Sequence, residues 1–277
     1  MSPPARRYSL AALTVIELAP PEMVSCAAAA GYQHVGLRLI PATPDDRKHD
    51  VIGDTPTVRD IRQRLASEGV TVLDVEVFRL RPDTRVADFI PAIETAASLG
   101  ATNLLTTGQD ADLARLADRF AELCSIAARF GMSADLEFMG WTEIDSIGAA
   151  CALLERADCV NGGLIVDALH FNRTSATLAD LAAVPPHWLH FAQLCDAPAT
   201  VPATMEDVIR EARGARLMPG EGELDLTSLV KALPPQLPIS VEIPNAELGR
   251  TLGAVDRARA ALRATREVVA SASRALN

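Results

Sequence analysis

A chain of 277 residues, 49% of them hydrophobic, is long enough for one large domain or two modest ones. Its formal net charge of −10 leaves it without the basic face that nucleic acid requires, and gives it no attraction to an anionic membrane surface. Five cysteines, at positions 26, 124, 151, 159 and 195, are odd in number and form no CxxC pair, which points to reduced thiols in a cytoplasmic protein rather than a disulfide framework.

The first apolar run, SLAALTVIEL (9–18), follows Arg6 and Arg7 and so imitates a short signal peptide. Glu17 and then Pro20-Pro21 interrupt it, and no small-residue cleavage site follows directly, so it reads as a first core strand. PPEMVSCAAAAG (20–31) has prolines at its start and a glycine stop, the pattern of a helix. HVGLRLI (34–40) is a second strand, TPTVRDIRQRLASEG (55–69) a second helix, and VTVLDVEVF (70–78) a third strand. DTRVADFIPAIETAASLG (83–100) is helical, with Pro91 marking a bend or a second start. TNLLTTG (102–108) precedes the clearest amphipathic helix, DADLARLADRFAELCSIAARFG (110–131). Four more strands follow: MSADLEFM (132–139), GGLIVDALH (162–170), WLHFAQLCD (188–196) and PISVEIP (238–244). The remaining helical segments are 142–158, 177–184, 203–214, 226–233 and a long one over 249–276. No run approaches the roughly 18–20 apolar residues of a membrane span.

Eight strand-like runs alternate with helices at intervals of about 30 residues, the size of a βα unit. The strands are apolar on both faces, as parallel sheets require. A single α/β domain over 1–277, a closed (β/α)8 TIM barrel, fits both the count and the length. An open doubly wound sheet is the alternative, but no GxGxxG follows the first strand, so a dinucleotide-binding version is disfavoured.

In a barrel of this kind the C-terminal ends of the strands carry the active site. Strand five ends in Asp135-Leu-Glu137, strand six in Asp167 with His170 just after it, strand seven in Gln193 and Asp196, and strand eight in Glu242. Glu137, Asp167, Gln193 and Glu242 would therefore converge at the barrel mouth. Three carboxylates so close repel one another unless paired, and a buried amide costs roughly 1–3 kcal/mol without a partner. A divalent cation answers both. The all-oxygen set suits Mg²⁺ or Mn²⁺ first, with Co²⁺ or Zn²⁺ as alternatives.

On DLEF (Glu137), VDALH (Asp167, His170), FAQLCD (Gln193, Asp196), RLMPGEGELD (216–225) and SVEIP (Glu242), the chain resembles the xylose isomerase-like TIM-barrel superfamily. That superfamily holds the sugar phosphate isomerases/epimerases, 3-dehydroshikimate dehydratases and the endonuclease IV group. The resemblance runs from the first strand to the last. It implies a metal held by Glu137, Asp167, the strand-seven residue and Glu242, with His170 as the substrate-contacting histidine of the DxxH pattern. The family's usual HxKD motif reads Gln193-Leu-Cys195-Asp196 here, so His becomes Gln and Lys becomes Cys. A glutamine at that place is what the 3-dehydroshikimate dehydratases use.

The implied chemistry begins with proton abstraction next to a carbonyl and a metal-stabilised enolate. A sugar (phosphate) isomerase or epimerase stands first, with Glu137 and Glu242 exchanging the proton. A lyase acting on a cyclic hydroxy-ketone acid such as 3-dehydroshikimate is the alternative, with His170 as acid or base. The expected partner is a small polyhydroxy ketone, sugar or hydroxy-ketone acid, and the protein is a candidate homo-oligomer. An endonuclease would need a histidine-rich three-metal site and a basic DNA face, and neither is present.

Four further groups are candidates for substrate binding. Arg213 and Arg216 stand just before a tight loop around Glu221, where one of them suits a carboxylate or phosphate. Their other reading is surface pairing with Glu211 or Glu221. Arg38 ends strand two and Glu76 interrupts strand three, either as a buried ion pair or as substrate contacts. Trp141 is read as a wall of the pocket or as core. Strict alternation from Gln193 sends His190 toward the helix layer. His34, His49 and His187 receive no role.

Overall fold

A computed structural model describes residues 6–43 and 46–274. Eight parallel strands close into a barrel in sequence order: β1 (Tyr8–Leu10), β2 (His34–Arg38), β3 (Thr71–Leu80), β4 (Asn103–Gly108), β5 (Ser133–Glu137), β6 (Gly162–Asp167), β7 (Leu189–Leu194) and β8 (Ile239–Val241). β1 pairs with β2 on one side and β8 on the other, which seals the sheet and leaves no edge strand. This is the expected (β/α)8 barrel.

Helices α1 (Pro20–Ala30), α2 (Pro56–Glu68), α3 (Ile90–Ser98), α4 (Leu113–Ala128), α5 (Ile147–Ala157), α6 (Ala168–Arg173), α7 (Leu178–Ala183), α8 (Met205–Gly214), α9 (Leu226–Ala232), α10 (Ala246–Thr251) and α11 (Ala254–Arg274) surround it. The starts are written in the sequence. Thr55, Asp112, Ser146, Thr204 and Asp225 each accept a backbone N–H of the first turn through the side chain. Pro91 falls in the first turn of α3, after a short 3-10 turn over Val86–Phe89, so it marks a start. The long final helix is in fact two, α10 and α11, separated at Leu252 and Gly253. The first run forms only three strand residues before turning into a 3-10 helix at Ala12–Val15. Among the described residues no helix is long and apolar enough to cross a membrane.

The outer strand faces and the inner helix faces form one large apolar core. A second, smaller cluster of Leu73, Val77, Leu105, Ile165 and Phe191 is buried apart from it. The ladder slips one residue at three places: between Val35 and Gly36 on β2, between Val75 and Phe78 on β3, and between Leu164 and Val166 on β6. Each slip changes which residues of the longer partner face inward.

The slip between β6 and β7 corrects the expectation for His190. Leu164 pairs with Leu189, but Val166 pairs with Ala192, so β7 carries one extra residue between them. Alternation is broken there, and His190 does not join the helix layer. Its Nδ1 lies 2.5 Å from Oδ1 of buried Asp135, whose Oδ2 accepts from Ser133 Oγ at 2.6 Å. Gly163 makes room for this pair, because a Cβ there would lie 2.3 Å from the Asp135 oxygen and 2.5 Å from the histidine nitrogen.

Candidate metal centre and active site

Four consecutive strands deliver the central groups. Glu137 ends β5 and Asp167 ends β6; Gln193 is the penultimate residue of β7; Glu242 directly follows β8. Asp167 pairs in register with Gln193, while Glu137 pairs with Ile165 and Gln193 with Ser240, so Glu137 and Glu242 are staggered along their strands relative to that pair; the Glu242 N–H donates to Leu194 O at 3.1 Å. Glu137, Asp167 and Glu242 each offer an oxygen within 4.8 Å of the others, and all three are buried. Gln193 is 1% exposed, and its Oε1 has no hydrogen-bond partner.

Asp167 also caps α6, accepting the His170 N–H on Oδ1 at 2.9 Å. That turn brings His170 over the site, with Nε2 3.8 Å from Glu137 Oε1 and 4.0 Å from Asp167 Oδ1. Its ring meets Trp141 edge-on, with centroids 5.0 Å apart, so Trp141 does wall the pocket. Burial lowers the His170 pKa to about 4 against the pull of Asp167, so the imidazole is neutral at pH 7.

Arg216 stands nearer the centre than a surface arginine would. It is 2% exposed; Nη1 donates to Asp167 Oδ2 at 2.6 Å, and Nη2 lies 3.2 Å from Glu242 Oε2. Burial works to raise the Asp167 pKa, but the Arg216 charge, His170 and their hydrogen bonds outweigh it and bring it below the ordinary value. Burial lifts Glu242 to about 7 even beside Arg216, with the Asp167 charge adding to the rise. Glu137 is pushed well above the carboxylate range by burial, then by the charges of Glu242 and Asp167.

The loop carrying Arg216 is held by Asp196. Its Oδ1 accepts the N–H groups of Ala197 and Leu224 at 2.8 and 3.1 Å, and its Oδ2 accepts Gly220 N–H at 2.8 Å. Gly222 must be glycine, since a Cβ would sit 2.4 Å from Ala197 O and from Asp196 Oδ1.

A cavity of about 340 Å³ opens above these groups. Arg38 and Glu76 line it as an ion pair at 2.8 Å, and Asp46 holds the other side of the Arg38 guanidinium at 3.3 Å. Arg213 is exposed on the rim, and neither Glu211 nor Glu221 pairs with it; Glu211 is taken by Arg173 at 2.7 Å. Arg79 and Thr107, not expected at the site, line the same cavity. Strict alternation puts Glu76 and Arg79 on opposite faces of β3, and the slip between Val75 and Phe78 brings both inward.

The family profile described as xylose isomerase-like TIM barrel matches residues 24–268. The chain belongs to that family. A xylose isomerase-like barrel of this kind is 27% identical over 242 residues to a 3-dehydroshikimate dehydratase of Pseudomonas aeruginosa, which covers 81% of this chain and 36% of that protein. The chain thus spans about a third of the length of that relative. Among solved structures, a xylose isomerase-like TIM barrel/4-hydroxyphenylpyruvate dioxygenase fusion protein superposes with a TM-score of 0.78 at 22% identity, covering 94% of this chain and 42% of that one. The IOLI protein with a zinc atom superposes with a TM-score of 0.77 at 19% identity, covering 95% of this chain and 98% of that one. Within this xylose isomerase-like barrel, Cys195 is fully buried, 3.5 Å from Arg216 Nη1, and burial raises its thiol pKa to about 12, so it is neutral.

Proposed function

We propose that this chain is a divalent-metal-dependent lyase of the dehydratase type, acting on a cyclic hydroxy-ketone acid such as 3-dehydroshikimate. The observation that carries the reading is Gln193 Oε1, buried without a partner on the strand between Asp167 and Glu242. A buried amide oxygen in that position fits a cation, and Glu137, Asp167, Gln193 and Glu242 would hold it. The glutamine at this place, together with the likeness to a 3-dehydroshikimate dehydratase, favours elimination over epimerisation. The zinc in the IOLI protein, which has the same fold, supports a divalent ion without choosing among Mg²⁺, Mn²⁺, Co²⁺ and Zn²⁺.

When bound, the ion supplies electrostatic stabilisation to the enolate and orients the carbonyl and hydroxyl oxygens. The chain's own groups handle the proton. His170 is neutral at pH 7, so it has a lone pair to accept the proton from the carbon beside the carbonyl. The imidazolium so formed is stabilised by Asp167, which Arg216 keeps ionised, 4.0 Å from Nε2. The electron pair of the broken C–H bond forms the new double bond as the β-hydroxyl departs, and His170 returns the proton to that hydroxyl as water. Trp141 covers the imidazole and keeps solvent from it.

The isomerase or epimerase reading keeps one supporting observation, since Glu137 and Glu242 both reach the site as the carboxylate pair that would exchange a proton across a sugar. Metal analysis joined to a substrate panel separates the two. Protocatechuate formed from 3-dehydroshikimate is the expected result. Deuterium uptake into ketoses or their phosphates, with no protocatechuate, would replace the lyase by the epimerase. A protein with neither activity nor metal would sink both.

A further inference from the structure

A hydroxy-ketone acid carries a carboxylate that neither His170 nor the four metal-facing groups would bind. Four arginines line the cavity, and two are already committed. Arg38 is held by Glu76 and Asp46, and Arg216 by Asp167 and Glu242. Among the described residues, no carboxylate pairs with Arg79 or Arg213. Arg79 donates through Nη1 to the Ala42 carbonyl, while its Nε is buried without an acceptor.

The neighbour of Arg79 has the same deficit. Thr107 is its register partner on β4 and has a buried Oγ1 with no partner. On its other side Thr107 pairs with Glu137, so Arg79, Thr107 and Glu137 stand abreast on β3, β4 and β5. Two adjacent buried polar groups without partners, one cationic, facing a cavity, is a deficit that an anionic ligand removes. The charges of Arg81, Arg213 and Arg38 act on Arg79 in the same sense as its burial, lowering its pKa against the weaker pull of Asp46.

We propose that Arg79 and Thr107 form the subsite for the substrate carboxylate, with Arg213 adding charge at the rim. This rests on the lyase reading and sharpens it: the substrate is an acid, and Arg79 is the residue that selects acids over neutral polyols. β3 and β5 lie two strand intervals apart, about 10 Å, so a carboxylate on Arg79 and Thr107 sits beside the Glu137 end of the cavity.

The test is calorimetric titration of metal-loaded protein with protocatechuate and with catechol, which has the same diol and no carboxylate. The wild type should prefer protocatechuate. Arg79→Met should weaken protocatechuate binding roughly 10- to 100-fold, the loss of one charged hydrogen-bonding pair, and leave catechol unchanged. Unchanged catechol binding also shows that the variant is folded. Thr107→Val should lower protocatechuate affinity by a smaller factor in the same direction. A wild type without the preference, or an Arg79→Met variant that keeps it, overturns the subsite. Metal occupancy in the same samples separates the two ideas: full occupancy without a carboxylate preference refutes the subsite alone, and absent metal refutes the lyase reading.

Discussion

Gln193→Leu should have opposite effects on the metal-free and metal-loaded protein. The side chain is 1% exposed and its Oε1 has no hydrogen-bond partner. An unmet buried acceptor costs about 1–3 kcal/mol, and an apolar side chain of similar volume removes that cost. Unfolding entropy scales to about 0.6 kcal/mol per degree for 277 residues, so the gain corresponds to a rise of roughly 2–5 °C in Tm. Scanning calorimetry of chelator-treated protein reads it directly. In the loaded protein the same substitution deletes a ligand. Loss of groups that merely support a ligand costs 10- to 100-fold in metal affinity, so loss of the ligand itself should cost roughly 100-fold or more. Competition with a chromogenic chelator measures that. A variant that melts lower than the wild type without metal, or binds metal with wild-type affinity, would refute the assignment of Gln193 to the cation.

Three further outcomes follow from the same geometry. Glu242 titrates at about 7 without metal, chiefly because it is buried, so below that pH it carries a proton that a cation must expel. Metal affinity should fall by up to about tenfold per unit as pH drops from 7 to 5.5, with proton release visible in buffers of different ionisation enthalpy; a flat profile would contradict this. The folded-state value lies above the unfolded one, so the metal-free fold gains stability from this group at low pH and loses it as pH rises from about 4.5 to about 7. Arg216→Met leaves Asp167 and Glu242 without their guanidinium and should destabilise the metal-free protein by about 3–5 kcal/mol in urea unfolding, with part of the loss restored by added metal. Gly222→Ala drives a methyl group against Ala197 O and Asp196 Oδ1, and should cost about 1–3 kcal/mol and speed amide exchange across 217–224; unchanged exchange would show that Asp196 does not hold this loop.

The barrel was legible because its signals are local. Eight short apolar runs, the helix start at Thr55 and the glycine stops at Gly31 and Gly69 are each written in a few residues, whereas α5 is capped by Ser146, later than the start at 142 read from the sequence. The convergence of Glu137, Asp167, Gln193 and Glu242 was legible for a related reason, since each is a polar residue late in an otherwise apolar strand. What failed was inference by alternation. His190 and Arg79 both lie on strands that carry one residue more than their neighbours; His190 was placed by a period-two rule that such a residue breaks, and Arg79 received no role. Nothing in WLHFAQL or VEVFRL marks that extra residue, because it is fixed by how the partner strand pairs. The pairing of Arg38 with Glu76 was left open between two readings, since strand ends alone do not say whether a guanidinium is spent on a neighbour.

The departure at strand seven also has an electrostatic logic. Glu137, Asp167 and Glu242 bring three negative charges when ionised, Arg216 brings one positive charge, and a divalent ion brings two, so the loaded centre is neutral in a place where a net charge is costly. That balance depends on Arg216 being inside, with its Nη1 3.5 Å from Cys195 Sγ. A lysine at 195 would put a second cation against the guanidinium and raise the centre by one charge. A thiol whose pKa is raised to about 12 packs there without altering the count. Cys195 and Arg216 are therefore read together: the small neutral side chain just after β7 leaves room, in space and in charge, for the guanidinium that neutralises Asp167 and Glu242. Cys195→Lys should then lower metal affinity while leaving Gln193 and the three carboxylates in place, and a variant that binds metal as well as the wild type would show that the neutral centre is not what the site requires.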